Sequence, residues 1–214
     1  GKTNSDLLAE KIEAIMAQTG SDKVDLIAHS MGGLVVKKYV ADRADDNHIG
    51  KAIFVGVPNT GSVEALKVLL QGDNFDIKFL SDAEIKKIAK NMPASYDLLP
   101  SQKYYSVKGS FLETINQTQS PYIFKDLNYD EFKSFLTDRG FNSTGMSNAE
   151  NLHTQSFDDF DLRTAGIDLY AIDGCKAATL GQIIEKKEKH FLTGEEVSYN
   201  QNVIPIYGPG DGTV

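Results

Sequence analysis

Helical and strand-like apolar patterns alternate through the first sixty residues. Over residues 4–19, Leu8, Ile12, Ile15 and Met16 recur at helical spacing. Asn4 or Ser5 can cap that helix and Gly20 can stop it. Residues 24–28 (Val-Asp-Leu-Ile-Ala) form a short run with little alternation, which predicts a strand covered on both faces. The helical period returns through Leu34, Val35, Tyr39 and Val40 to about residue 44. Residues 51–57 then read as a second buried strand, closed by Pro58. Helix, strand, helix, strand at this spacing predicts an α/β fold with a mostly parallel sheet and flanking helices.

From about residue 61 the rhythm changes. Residues 63–70 read as a short helix, and Ser81-Asp82-Ala83-Glu84 is a capping-box signature for another, stopping before Pro93. Further helices are expected over 129–139 and from 148 to about 157. No strand-turn-helix unit interrupts these hundred residues. The chain therefore reads as one α/β domain over 1–214 with a largely helical, lid-like insertion at about 61–160. The aromatics Phe111, Tyr122, Phe124, Phe132 and Phe135 suit a lid over an apolar substrate and equally the insertion's own small core. A strand returns over 167–172. Extended segments over 197–206 suggest a hairpin beside the sheet.

Composition narrows the classes little. Hydrophobic content of 41% with 24% charged residues is ordinary for a globular domain, and the net charge of −8 disfavours nucleic-acid binding. The Lys186-Lys187-Glu188-Lys189-His190 cluster is interrupted by acid and reads as a solvated helix end. The lone Cys175 excludes an internal disulfide and a cysteine-based metal site. No metal or cofactor is called for.

The candidate chemistry lies in Ala28-His29-Ser30-Met31-Gly32-Gly33-Leu34-Val35. A strand running into a small-X-Ser-X-Gly turn and then a helix is the setting of a nucleophile elbow, which holds a serine hydroxyl clear of its neighbours. Such a turn needs small residues, here Ala28, Gly32 and Gly33. It also places Ser30 at the positive end of the following helix, where the Met31 N–H can stabilise an oxyanion. The bland reading is a strand-to-helix connection with a capping serine. A serine nucleophile needs a histidine base and an orienting carboxylate, in the hydrolase order Ser, Asp, His. Asp211, in the Gly-Pro-Gly-Asp-Gly turn, can supply the carboxylate, and Asp173 is the fallback.

Four stretches together resemble the lecithin:cholesterol acyltransferase family of α/β-hydrolases. They are the Ser30 motif, Gly56-Val57-Pro58-Asn59-Thr60-Gly61-Ser62, Met92-Pro93-Ala94-Ser95-Tyr96-Asp97-Leu98-Leu99-Pro100-Ser101 and the terminal Gly210-Asp211-Gly212-Thr213-Val214. The resemblance implies an α/β-hydrolase fold, Ser30 as nucleophile, Asp211 as triad acid and Met31 as an oxyanion donor. It implies acyl-ester hydrolysis or O-acyl transfer on a lipid or other acyl ester through an acyl-Ser30 intermediate. It also allows contact of the insertion with a membrane or lipoprotein surface. A non-catalytic hydrolase-like binding module and a GPI-inositol-deacylase-like esterase are the competing readings.

By chain order the catalytic histidine should follow Asp211, where three residues remain. His29 abuts Ser30 but points the other way along its strand, as a packed or hydrogen-bonded neighbour. His48 falls in a polar loop, His153 in the insertion and His190 in the charged stretch, all in solvated or structural settings. The expectation is therefore a chain cut at both ends. It would lack the early strands with their second oxyanion donor and a histidine segment beyond Val214.

Overall fold

The computed structural model describes residues 2–73, 79–118, 120–189 and 196–210. The capping box of α1 (Asn4–Thr19) is built by Thr3 and Asp6, one residue ahead of the expected cap, and Gly20 ends the helix in the left-handed conformation. Then come β1 (Val24–His29), α2 (Met31–Asp42) and β2 (Ile49–Val55). β2 pairs in parallel with β1 and with β5 (Asp168–Ile172), giving the order β1-β2-β5. This is an α/β architecture.

Period-two geometry sorts the residues of this sheet. Leu26, Ala28, Ala52, Phe54 and Leu169 share one face, which packs with Ile12, Val36, Tyr39 and Val40 of α1 and α2 and with Leu162 into the first core. The other face carries Ile27 (77% exposed), Ile53, Val55, Tyr170 and Ile172, and no described element covers it. The expectation of a strand buried on both faces is thus met on one side only.

A second core is built mainly from the chain between β2 and β5. Its elements are α3 (Val63–Gln71), α4 (Asp82–Ala89), α5 (Pro93–Asp97), α6 (Gln102–Lys108), β3 (Leu112–Asn116), β4 (Ile123–Asp126), α7 (Tyr129–Asp138) and α8 (Ser143–Leu152). The short α9 (Gln155–Asp158) follows. The expected helix over 148–157 is therefore two elements, broken where His153 caps α8. Phe111 is fully buried, with Tyr105 and Phe132 ring centroids each 5.0 Å away. The aromatics divide: Phe111, Phe132 and Phe135 make core, whereas Tyr122 and Phe124 stay exposed on and beside β4.

The strands β3 and β4 escape the apolar pattern, and the hairpin lies elsewhere than expected. β6 (Ala177–Lys189) and β7 (Glu196–Gly210) pair antiparallel, and β6 adds in parallel to β3, giving a second sheet of order β4-β3-β6-β7. The hairpin thus joins the second core instead of lying beside the first sheet. The lysine-rich run 186–189 is strand, not helix end, because its register with β3 places alternate residues inward. Ile183 and Glu185 face the second core and are buried, while Ile184 and Lys186 face outward. His190 lies outside the described residues.

Candidate active site

β1 delivers Ser30 to the carboxyl ends of the parallel strands, where open α/β sheets bind ligands. Ser30 has φ +51° and ψ −132°, a region that non-glycine residues rarely occupy and that typically costs about 1–3 kcal/mol. The strain is held by its surroundings. The Ser30 N–H donates to the Val55 carbonyl (3.0 Å), continuing the β1–β2 ladder, and the Ser30 carbonyl accepts from Gly33 N–H (3.0 Å), opening α2. Although Ser30 occupies the cap position, its side chain makes no capping hydrogen bond. The capping-serine reading therefore fails, and the hydroxyl is not spent on the helix.

The Met31 N–H is the first of α2 and has no acceptor within its own helix, so it is available to a developing anion. The Met31 side chain is exposed. Of the two glycines after it, only Gly33 is required by contact: a Cβ there would sit 2.3 Å from Val57 Cγ2, whereas one at Gly32 would meet nothing within 4 Å. The tight-turn argument thus holds for Gly33 and not for Gly32.

The motif loop after β2 grips the 97–101 strap between α5 and α6. Ser62 N–H donates to Leu98 O (2.8 Å) and Ser101 N–H to Thr60 O (2.9 Å). Gly61, at φ +96°, is where the two chains pass: a Cβ would lie 2.3 Å from Leu99 O. Two of the four motif stretches are thus one structural unit.

The described histidines are dispersed. His29 is exposed, so of the packed or hydrogen-bonded neighbour expected, the packed form does not hold. His48 is half-exposed, with Nε2 2.9 Å from Asp46 Oδ1. His153 is the surprise, because its side chain is only 3% exposed. Its Nδ1 lies 2.7 Å from Asp158 Oδ1 and its Nε2 2.7 Å from the Asp97 carbonyl. With both ring nitrogens engaged, it is not free to serve Ser30. Asp211 lies outside the described residues. The described chain runs up to it through Gly210, which pairs with Ala177. Asp173 follows β5 and lines an open cleft of about 280 Å³ with Lys37, Val57, Asn59 and Asp158; Ser30 is not among its lining residues.

A buried charge on α2 also escaped sequence reasoning. Lys37, a side chain of α2 seven residues after Ser30, is 3% exposed, and Nζ donates to the Asp158 carbonyl (3.1 Å) beside the Phe157 ring. Burial pushes its ammonium below the usual lysine range, against the pull of Asp158 and Asp159. Its only signal was a lysine between Val36 and Tyr39 on the buried side of the helix.

The lecithin:cholesterol acyltransferase family pattern matches residues 4–213. Among curated relatives, phosphatidylcholine-sterol acyltransferase of Gallus gallus is 27% identical over 195 residues, covering 90% of this chain and 42% of that protein. The Mus musculus protein of the same name is 27% identical over 213 residues, covering 97% and 43%. The chain thus spans less than half the length of these relatives. Among solved structures, the crystal structure of the Tle4–Tli4 complex matches with a TM-score of 0.61 at 16% identity, over 97% of this chain and 52% of that one, which shows a shared fold. With a pattern that takes in nearly every residue from the first helix to the Gly-Asp-Gly-Thr stretch, the chain belongs to the lecithin:cholesterol acyltransferase family.

Proposed function

We propose that this chain carries the nucleophile of a lipid acyl-ester hydrolase or O-acyltransferase, with Ser30 forming the acyl-enzyme. The observation that carries the reading is the backbone of Ser30 at φ +51° and ψ −132°, with a hydroxyl not used as a cap. Family membership supports a lipid ester as substrate. Ser30 Oγ attacks the ester carbonyl and loses its proton to a histidine. The resulting oxyanion takes a hydrogen bond from Met31 N–H at the positive end of α2. By the hydrolase chain order, Asp211 orients that histidine. Collapse expels the alcohol, and water or an acceptor alcohol then attacks the acyl-Ser30 ester. Hydrolysis and transfer differ only in that last nucleophile. The second core lies in the chain where a cap over the substrate is expected.

In the complete protein a fluorophosphonate probe should label Ser30. Ser30→Ala should abolish the labelling and lower ester turnover by about 10⁴- to 10⁶-fold, as loss of a triad nucleophile does. Undiminished labelling or turnover in that variant would overturn the assignment. A wild-type protein that is neither labelled nor active would point to the non-catalytic module. Adding long-chain alcohols to the assay and following ester formation against free acid then separates transfer from hydrolysis.

A further inference from the structure

The two cores meet across a polar junction, and one carboxylate organises it. The Asp158 side chain, 2% exposed, receives Ser101 Oγ–H on Oδ2 (2.7 Å) and the His153 ring on Oδ1 (2.7 Å). Its backbone carbonyl receives Lys37 from α2. Ser101 in turn caps α6 and, through its N–H, is tied to the loop after β2. Asp158 therefore links α2, the 97–101 strap and α8 at one point.

His153 faces acceptors on both sides. The Asp97 carbonyl can only accept, and so can the Asp158 carboxylate, whose other oxygen already receives the Ser101 hydroxyl. A neutral imidazole carries one N–H, so it can satisfy only one of them and sets a lone pair against the other. With Asp158 ionised, both 2.7 Å contacts close together only when the ring bears two protons.

We propose that His153 is a positioning residue that works as a buried imidazolium, clamping the 97–101 strap to Asp158 and so seating the second core on α2, the helix that follows Ser30. Loss of its proton releases one of the two contacts. The proposal rests on the acyl-transfer reading for its effect on turnover, but not for its protonation. The other charged or titratable groups at the junction are Lys37 on α2, Asp97 on α5, Lys103 on α6, Tyr129 and Lys133 on α7, Glu150 on α8 and Asp159 after α9. Lys103 is paired with Asp159 (2.6 Å) and Lys133 with Glu150 (2.9 Å), which leaves Asp158 and Asp97 as the negative groups acting on the ring. Burial, the largest single influence, pulls the His153 pKa down. The Asp158 and Asp97 contacts together outweigh it, and the net direction is up. A histidine whose folded pKa is raised contributes its full stabilisation below its unfolded pKa of about 6.5 and loses it as pH climbs through the folded value.

The test uses the complete protein. In ¹⁵N–¹H ring correlations near neutral pH, the buried histidine should show both nitrogens protonated. A single protonated nitrogen would overturn the proposal without any variant. The melting temperature of wild type should exceed that of His153→Gln by about 5–10 °C at pH 5.5, and the gap should close at alkaline pH. A gap that is constant with pH would mean a merely structural side chain. Wild-type kcat/KM on a long-chain ester should fall ~10- to 100-fold as the same group titrates. Fluorophosphonate labelling of Ser30 should follow a different pH profile, and His153→Gln should lack the long-chain titration. If the unaltered protein is not labelled, the enzymatic reading fails alone, because the ring nitrogens and the melting curves still decide the clamp.

Discussion

Ser30, Gly33 and Gly61 show two ways in which single residues serve the site. Ser30 occupies a strained backbone region because its amide and carbonyl are each committed, one to β2 and one to α2. Gly33 and Gly61 are there because a neighbour has taken the space a side chain would need. Gly32 differs from both, having open space and no positive φ. Gly32→Ala should therefore stabilise the fold by about 0.5–1 kcal/mol, the ordinary gain from removing a glycine from a helix. Gly33→Ala should cost about 1–3 kcal/mol, because the displaced group includes the Val57 Cβ as well as its methyls. Urea denaturation of the two variants measures the difference, and equal shifts would show that α2 and the Val57 loop pack less closely than described.

Among the elements, the second sheet is where local pattern misleads most. A run of lysines with one glutamate predicts a solvated helix end, yet it forms β6 because β3 and β7 supply hydrogen bonds on both sides. The inward Glu185, 1% exposed, is received by Arg139, which caps the C-terminus of α7 and whose Nη2 lies 2.6 and 2.7 Å from the two carboxylate oxygens. Arg139 also donates to the Phe135 carbonyl and lies over the Phe135 ring. This pair accommodates Glu185 on the inward face of β6. Arg139→Met should leave a buried carboxylate without its guanidinium and destabilise by about 3–5 kcal/mol. Combining it with Glu185→Leu should recover most of that loss. Equilibrium unfolding of the single and double variants tests this, and a double variant no better than the single would show that the pair does more than neutralise itself.

For the molecule as a whole, the bare face of the parallel sheet has the widest consequence. Parallel sheets are found with both faces covered, and here Ile27, Tyr170 and Ile172 lie open beside half-buried Ile53 and Val55. The described edge strands β1 and β5 add unpaired backbone to the same surface. Residues 1–214 expressed alone should therefore self-associate. Ile27→Lys with Ile172→Lys should shift the material towards monomer while leaving the first core intact. Sedimentation velocity decides this: a monomeric unaltered chain would show that the face tolerates water as it stands.

Much of this protein was legible in its sequence. The apolar period, the caps and the small residues around Ser30 determined the alternating helices and strands of the first sixty residues, the parallel sheet and the strand-turn-helix at Ser30. These are local matters, settled by side chains within one or two turns of each other. The hairpin's docking on β3, the strand at 186–189, the burial of Lys37 and the clamp at Asp158 and His153 were not legible. Each depends on partners 56 to 121 residues away or on another strand's register. A lysine or histidine reads as solvated until the tertiary fold brings a carbonyl or a carboxylate to it. Sequence thus fixed where the serine turns, and only packing between distant segments decided which charges went inside and what they hold together.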